Sequence, residues 1–171
     1  MALGHPADIG LQAMPRYDAG GRLKEKWLPN GVNSRYAYNT DNTLTQMVNR
    51  SLTTTIISQH DCLYDVYANR RQQISNITGS ALTHAYTFDA LDRLLTVKQT
   101  APPDATKDET YTYDPLNNLT TRAIGTPVTA TTAFVHDAAN QLLEGRSGTT
   151  AGALLAGYVY DANGSLTKKC R

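Results

Sequence analysis

Residues 158–166 read Tyr158-Val159-Tyr160-Asp161-Ala162-Asn163-Gly164-Ser165-Leu166, and this stretch decides the fold. Two rings two residues apart share one face of a strand. Asp161 then starts a turn, Gly164 accepts a positive φ, and Leu166 closes the phrase at position seven. The same phrase, aromatic-Asx-x-x-(Gly/Asn)-x-Leu, recurs at Tyr17 to Leu23, Tyr38 to Leu44, Tyr64 to Arg70, Phe88 to Leu94, Tyr113 to Leu119, His136 to Leu142 and Tyr160 to Leu166. Its second position falls at Asp18, Asn39, Asp65, Asp89, Asp114, Asp137 and Asp161, so that copies lie 21 to 26 residues apart. Self-similarity at that period marks stacked units. The expected fold is all-β, a run of tandem antiparallel β-hairpins, with a non-repeat segment at residues 1–13 and seven repeats over 14–168.

Each position of the phrase has a physical task. An Asx side chain at position two accepts from a backbone N–H two residues on and initiates a type I turn. Pro115 at position three suits the fixed φ of the next turn residue and excludes a strand interior. Position five holds Gly21, Asn42, Ala68, Asp92, Asn117, Asn140 and Gly164, six of which are residue types that tolerate positive φ. Ala68 is the exception, and its copy is expected to turn differently or under strain.

Two residues ahead of the position-one aromatic stands another ring in five copies: Tyr36, Tyr86, Tyr111, Phe134 and Tyr158, with Pro15 and Cys62 in the others. This period-two alternation, answered by Leu at position seven, predicts half-buried hairpins whose rings pack on their neighbours. Between the first two copies, Trp27 to Val32 carries the pair Asn30-Gly31, a hairpin signal. Thr100 to Thr110, Gly125 to Thr132 and Arg146 to Gly157 read as larger loops opposite the aspartate turns, with no domain boundary in them.

Composition bounds the function. Lys and Arg number 16 against 15 Asp and Glu, so no basic surface argues for nucleic acid or an anionic membrane. No signal-peptide pattern and no membrane-spanning apolar run is present. Cys62 reads as a small core residue and Cys170 as an exposed one, without metal-ligand spacing. His60-Asp61-Cys62 suggests a nucleophile pair, but adjacent strand residues face opposite ways and no third group is evident. The recurring Asx residues are too sparse for a calcium repeat, each having a turn to cap. The sequons at Asn49, Asn76, Asn118 and Asn163 matter only in a eukaryotic secretory pathway. The expectation is a protein that is not an enzyme and needs no cofactor.

Phrases such as Tyr17-Asp-Ala-Gly-Gly-Arg-Leu, Tyr111-Thr-Tyr-Asp-Pro-Leu-Asn-Asn-Leu and Tyr158-Val-Tyr-Asp-Ala-Asn-Gly-Ser-Leu resemble the YD repeats of the Rhs family, shared with teneurins and the shell-forming components of insecticidal toxin complexes. The resemblance covers residues 14–168. It implies a curved or spiral sheet of hairpins, a partial segment of a hollow shell that encloses a C-terminal toxin in a secreted polymorphic toxin. The implied partners are further Rhs repeats and that toxin domain of a parent protein, and the implied location is secreted or cell-surface as part of a larger protein. The alternative is a repeat module that binds carbohydrate or a cell surface. The family's Asp-Pro-x-Gly-Leu-like cleavage segment has no match, since Asp114-Pro115 continues as Leu116-Asn117 inside an ordinary turn.

Under the scaffold reading, Tyr86, Tyr111 and Tyr158 are expected to be substantially buried, and the chain's ends to fray and associate, the seventh copy lacking a returning strand. Replacing Gly21 or Gly164 with Val is expected to destabilise its hairpin by about 1 kcal/mol, read from the urea midpoint.

Overall fold

The computed structural model describes residues 13–77 and 79–170; the expectation for residues 1–13 falls almost wholly outside them. The chain is all-β. Its strands are β1 (Met14–Tyr17), β2 (Leu23–Trp27), β3 (Asn33–Tyr38), β4 (Leu44–Arg50), β5 (Ile56–Tyr64), β6 (Arg70–Ile77), β7 (Ser80–Phe88), β8 (Leu94–Ala101), β9 (Glu109–Tyr113), β10 (Leu119–Ile124), β11 (Ala130–His136), β12 (Leu142–Ser147), β13 (Leu154–Tyr160) and β14 (Leu166–Cys170). The one helical piece among the described residues is a 3-10 turn at Ala105–Lys107. Residues up to Thr83 form one compact unit and those from His84 another. The division falls inside β7 and not in a linker, so composition gives no sign of it. Within each unit the strands pair antiparallel in sequence order.

The hairpins carry one register. Position one faces position seven directly, as in Tyr17↔Leu23, Tyr38↔Leu44, Tyr64↔Arg70, Tyr113↔Leu119, His136↔Leu142 and Tyr160↔Leu166, and a bulge follows at once. That bulge is the cost of a type I turn, whose twist mismatches the strands until an αL residue and an extra residue absorb it. The position-five residues take this αL conformation, from Asp92 at φ 59° to Gly164 at φ 80°. Ala68 does the same at φ 65°. Its copy turns as the others do, because the ladder and Asp65 hold it there, and it bears the αL strain of a residue with a Cβ. Leu28-Pro29-Asn30-Gly31 repeats the device at the opposite end, with Gly31 at φ 78° and its N–H on the Leu28 carbonyl at 2.9 Å.

Side chains alternate as the period-two pattern requires: Glu109, Tyr111 and Tyr113 are half-buried while Thr110 and Thr112 are exposed. The core is thin. Among the described residues only Val48, Cys62 and Ala133 are buried apolar side chains, joined by Asn33 and Ser34. Tyr86, Tyr111 and Tyr158 are half-buried, not substantially buried, because no second layer covers them among the described residues. Tyr17 and Tyr67 are 61% and 77% exposed, so they contribute little packing.

All three loops are shorter than expected, since β8 extends to Ala101 and β9 begins at Glu109, β11 begins at Ala130, and β12 extends to Ser147 with β13 beginning at Leu154. Thr-rich stretches have high β propensity and the ladder recruits them. The seventh copy does return, as β14 on β13, and Cys170 is half-buried within it. β14 also places Lys168 and Lys169 on an outer strand, the charge that blunts edge-to-edge pairing. Substituting Ala68 by Gly should relieve the αL penalty and raise stability by about 1 kcal/mol; an unchanged or lowered urea midpoint would contradict the assigned strain.

Candidate functional site

The repeated unit is a turn whose side chains reach both inward to its own backbone and outward to the next turn. At position two, one side-chain oxygen accepts two backbone N–H groups, two and four residues on. For Asp114 these are Leu116 at 2.9 Å and Asn118 at 2.8 Å, and for Asn39 they are Asp41 at 2.9 Å and Thr43 at 3.0 Å. The other copies repeat the pair at Asp18, Asp65, Asp89, Asp137 and Asp161. The backbone closes the same loop, with the position-five N–H on the position-two carbonyl throughout.

A second interaction links copies. Tyr38 donates its phenol hydrogen to the carbonyl of Leu23 at 2.9 Å, Tyr64 to Leu44 at 2.8 Å, Tyr113 to Leu94 at 2.9 Å and Tyr160 to Leu142 at 3.1 Å. In every case a position-one ring reaches the position-seven carbonyl of the preceding copy. The backbone ladder between those hairpins has already stopped, at Glu25↔Arg35, Gln46↔Asp61, Thr96↔Thr110 and Glu144↔Gly157 respectively. The phenol therefore supplies the bond the main chain does not, a task that Tyr can perform at position one and Phe cannot. Phe88 and His136 occupy the same position without a phenol.

Position six supplies a third link, which the sequence analysis left as a variable residue. Arg22 donates from Nε to its own Asp18 at 2.7 Å and from Nη1 to Asn42 Oδ1 of the next turn at 2.8 Å, with its guanidinium 5.0 Å from the Tyr38 ring centre. Arg93 repeats this on Asp89 at 2.7 Å and Asn117 at 2.9 Å, 4.7 Å from the Tyr113 ring. Asn118 bridges Asp114 and Asn140, both at 2.9 Å. The signal was present as Arg or Asn at position six followed one repeat later by Asn at position five.

These contacts set the electrostatics. Backbone and side-chain donation from Arg22 holds Asp18 below the ordinary carboxylate range. Asp89 is lowered as well, desolvation opposing but the Arg93 bonds prevailing, and Asn118 leads the lowering of Asp114. On the ring-bearing face, Arg122 grips Glu109 through Nε at 2.8 Å and Nη2 at 2.5 Å while Tyr111 donates to the same carboxylate. Arg122 is the main cause of a lowered Glu109, and desolvation the main cause of a raised Tyr111.

The triplet around Cys62 is dispersed. His60 Nδ1 lies 3.0 Å from Ser75 Oγ, Asp61 accepts from Gln46 at 2.6 Å and Gln59 at 2.7 Å, and Cys62 is buried and free. Among the described residues no group of three His, Cys, Asp or Glu could hold a metal, and no helix is long and apolar enough to cross a membrane.

No family model matches the chain, and no curated protein matches it in sequence. Among solved structures it is similar to a crystal structure of TcdB2-TccC3-TEV, with 13% identity and a TM-score of 0.51, over 87% of this chain and 10% of that one. A Photorhabdus luminescens Tc holotoxin pore carrying a TccC3 mutation aligns at 11% identity and a TM-score of 0.48, over 92% of this chain and 12% of that one. The chain thus spans about a tenth of the length of these solved chains. At such identity the first likeness is one of fold.

Two outcomes follow for the turns. Tyr113→Phe should cost about 1 kcal/mol, and His136→Tyr should gain about as much if its phenol reaches the Leu119 carbonyl; equal urea midpoints for Tyr113→Phe and the parent would remove the phenol link. The lowered pKa values of Asp18, Asp89 and Asp114 mean that their stabilisation is complete above the unfolded carboxyl pKa of about 3.9 and lost as pH falls through the lower folded values. The urea midpoint should hold from neutral pH to about pH 5 and drop below about pH 4, and the triple Asp→Asn variant, which keeps the turn acceptor as Asn39 does, should flatten that drop.

Proposed function

We propose that this chain is a structural scaffold, a stretch of Rhs-type wall that in a longer parent protein helps to enclose a C-terminal toxin domain. The observation that carries the reading is the phenol-to-carbonyl link between consecutive copies. It forms only when hairpins stack in phase. The YD-repeat resemblance of the turns and the likeness of fold to the TcdB2-TccC3 structure support the same reading. Secretion or display at a cell surface belongs to this proposal, as do further repeats as partners.

The terminal copies support those partners. Tyr17 is 61% exposed and Leu166 is 54% exposed, whereas Tyr38, Tyr64, Tyr113 and Tyr160, and Leu23, Leu44, Leu94 and Leu142, the residues that make the links, are half-buried. Tyr17 offers a donor and Leu166 an acceptor of the kind that links the other copies, so another hairpin of the same motif fits either side. The half-exposure of Tyr86, Tyr111 and Tyr158 favours a second reading, recognition of cell-surface carbohydrate along the ring-bearing face.

The test is protease protection. Expressed with its flanking coding sequence, the chain should shield a downstream domain so that it is cleaved only under conditions that also unfold the sheet. Cleavage of that domain at the rate of the isolated domain would defeat the enclosure reading. Loss of binding to glycan-coated surfaces in Tyr111→Ala, with the fold intact, would favour the second.

A further inference from the structure

The sequence holds two Asn-Gly pairs, Asn30-Gly31 and Asn163-Gly164, and each forms the third and fourth residues of a turn. Both glycines are αL, at φ 78° and φ 80°. Each glycine N–H is donated back across its turn, from Gly31 to the Leu28 carbonyl at 2.9 Å and from Gly164 to the Asp161 carbonyl at 3.0 Å. An asparagine followed by glycine carries its own electrophile and nucleophile, because no Cβ hinders the approach of the glycine nitrogen to the side-chain carbonyl carbon. A closed turn blocks that approach by holding the nitrogen's hydrogen on another acceptor. The reaction therefore goes through whichever turn opens more often.

The two surroundings differ. Asn30 Oδ1 accepts from the Val32 N–H at 3.1 Å, and a Cβ on Gly31 would fall 2.2 Å from Leu52 Cγ, so Leu52 lies directly over this glycine. The strand that follows begins with buried Asn33 and Ser34, and β2 and β3 are each paired on both sides. The seventh turn has none of this cover. The Asn163 side chain makes no hydrogen bond among the described residues, every residue from Asp161 to Lys169 is exposed, and β14 pairs with β13 alone among the described strands. Of the seven copies, only this one combines Asn at position four with Gly at position five.

We propose that Asn163 is a site of spontaneous deamidation that unlocks the seventh turn, while the fold shields Asn30. When the turn opens, the Gly164 nitrogen gives up its proton and attacks Asn163 Cγ. The new N–Cγ bond replaces the Cγ–Nδ2 bond, and the side-chain nitrogen leaves as ammonia with that proton. Water then adds to one carbonyl of the resulting succinimide and opens it, giving either aspartate or an isoaspartate linked through its side-chain carbon. The isoaspartate lengthens the main chain by one carbon between positions four and five, so Gly164 no longer meets the Asp161 carbonyl. It also sets a second carboxylate beside Asp161, which accepts from the N–H groups of residues 163 and 165, each at 2.9 Å. The modification is independent of the wall reading.

The experiment holds the full chain at mildly alkaline pH, folded and in parallel unfolded in urea, and follows both asparagines by peptide mass mapping and by enzymatic methylation of isoaspartate. In the folded chain Asn163 should convert at least about tenfold faster than Asn30, a difference of about 1.4 kcal/mol in opening, and in urea the two should convert at similar rates. Leu52→Ala should speed Asn30 and leave Asn163 unchanged. The isoaspartate form, separated by anion exchange, should lose amide-exchange protection over Leu166–Cys170 and keep it in β3 and β4. Equal rates in the folded chain, or an Asn163 that stays intact while the urea sample converts, would overturn the site. An Asn30 indifferent to Leu52→Ala would overturn the shielding, and protection retained in β14 would overturn the unlocking.

Discussion

A single side-chain oxygen at position two holds this structure together. At each aspartate turn it accepts two backbone N–H groups that the strand ladder cannot reach, and so fixes where one strand stops and the next begins. Everything else is registered from that point. The αL residue three places on restores the twist, the bulge brings position one opposite position seven, and the ring is thereby aimed at the preceding copy. Asn39 serves as well as aspartate because the task is acceptance, not charge. Where charge is present it is used a second time, as when Arg22 and Arg93 bind the other oxygen.

Much of this was legible in the sequence. The Asx-x-x-(Gly/Asn) spacing gives the turn, and Tyr111 and Tyr113 two apart give the face, because both follow from local sterics and a period of two. Links between copies were not legible from any one copy. The phenol of Tyr113 reads as packing until the ladder between β8 and β9 is seen to end at Thr96↔Thr110, and that depends on how far neighbouring hairpins splay. Arg93 falls at the undefined position six of the phrase, and its role is hidden for the same reason, since its partner Asn117 lies 24 positions away. Ala68 was expected to turn differently or under strain, and of the two it is the strain that the structure shows, at φ 65°. Residue preference suggested a different turn, but the ladder of β5 on β6 and the two bonds to Asp65 outweigh an αL penalty of about 1 kcal/mol.

The division near Thr83 was unreadable because it falls within a strand. Ring burial was overestimated because the alternation of β9 says which face a side chain takes and nothing about whether a second layer covers it. Tyr111 shows the consequence: half-exposed, it donates to Glu109, which is also gripped by Arg122. A polar network of this kind occupies the place that an apolar layer would fill in a sandwich.

A chain with three buried apolar side chains among its described residues cannot derive its order from a conventional core. Its stability is distributed over copies, each contributing a capped turn and, where a phenol is present, one link of about 1 kcal/mol to the copy before it. Such an arrangement tolerates a Phe88 or a His136 because losing one link leaves the neighbouring turns closed. Tyr17 and Leu166, 61% and 54% exposed, are the same residue types at positions one and seven that join the interior copies.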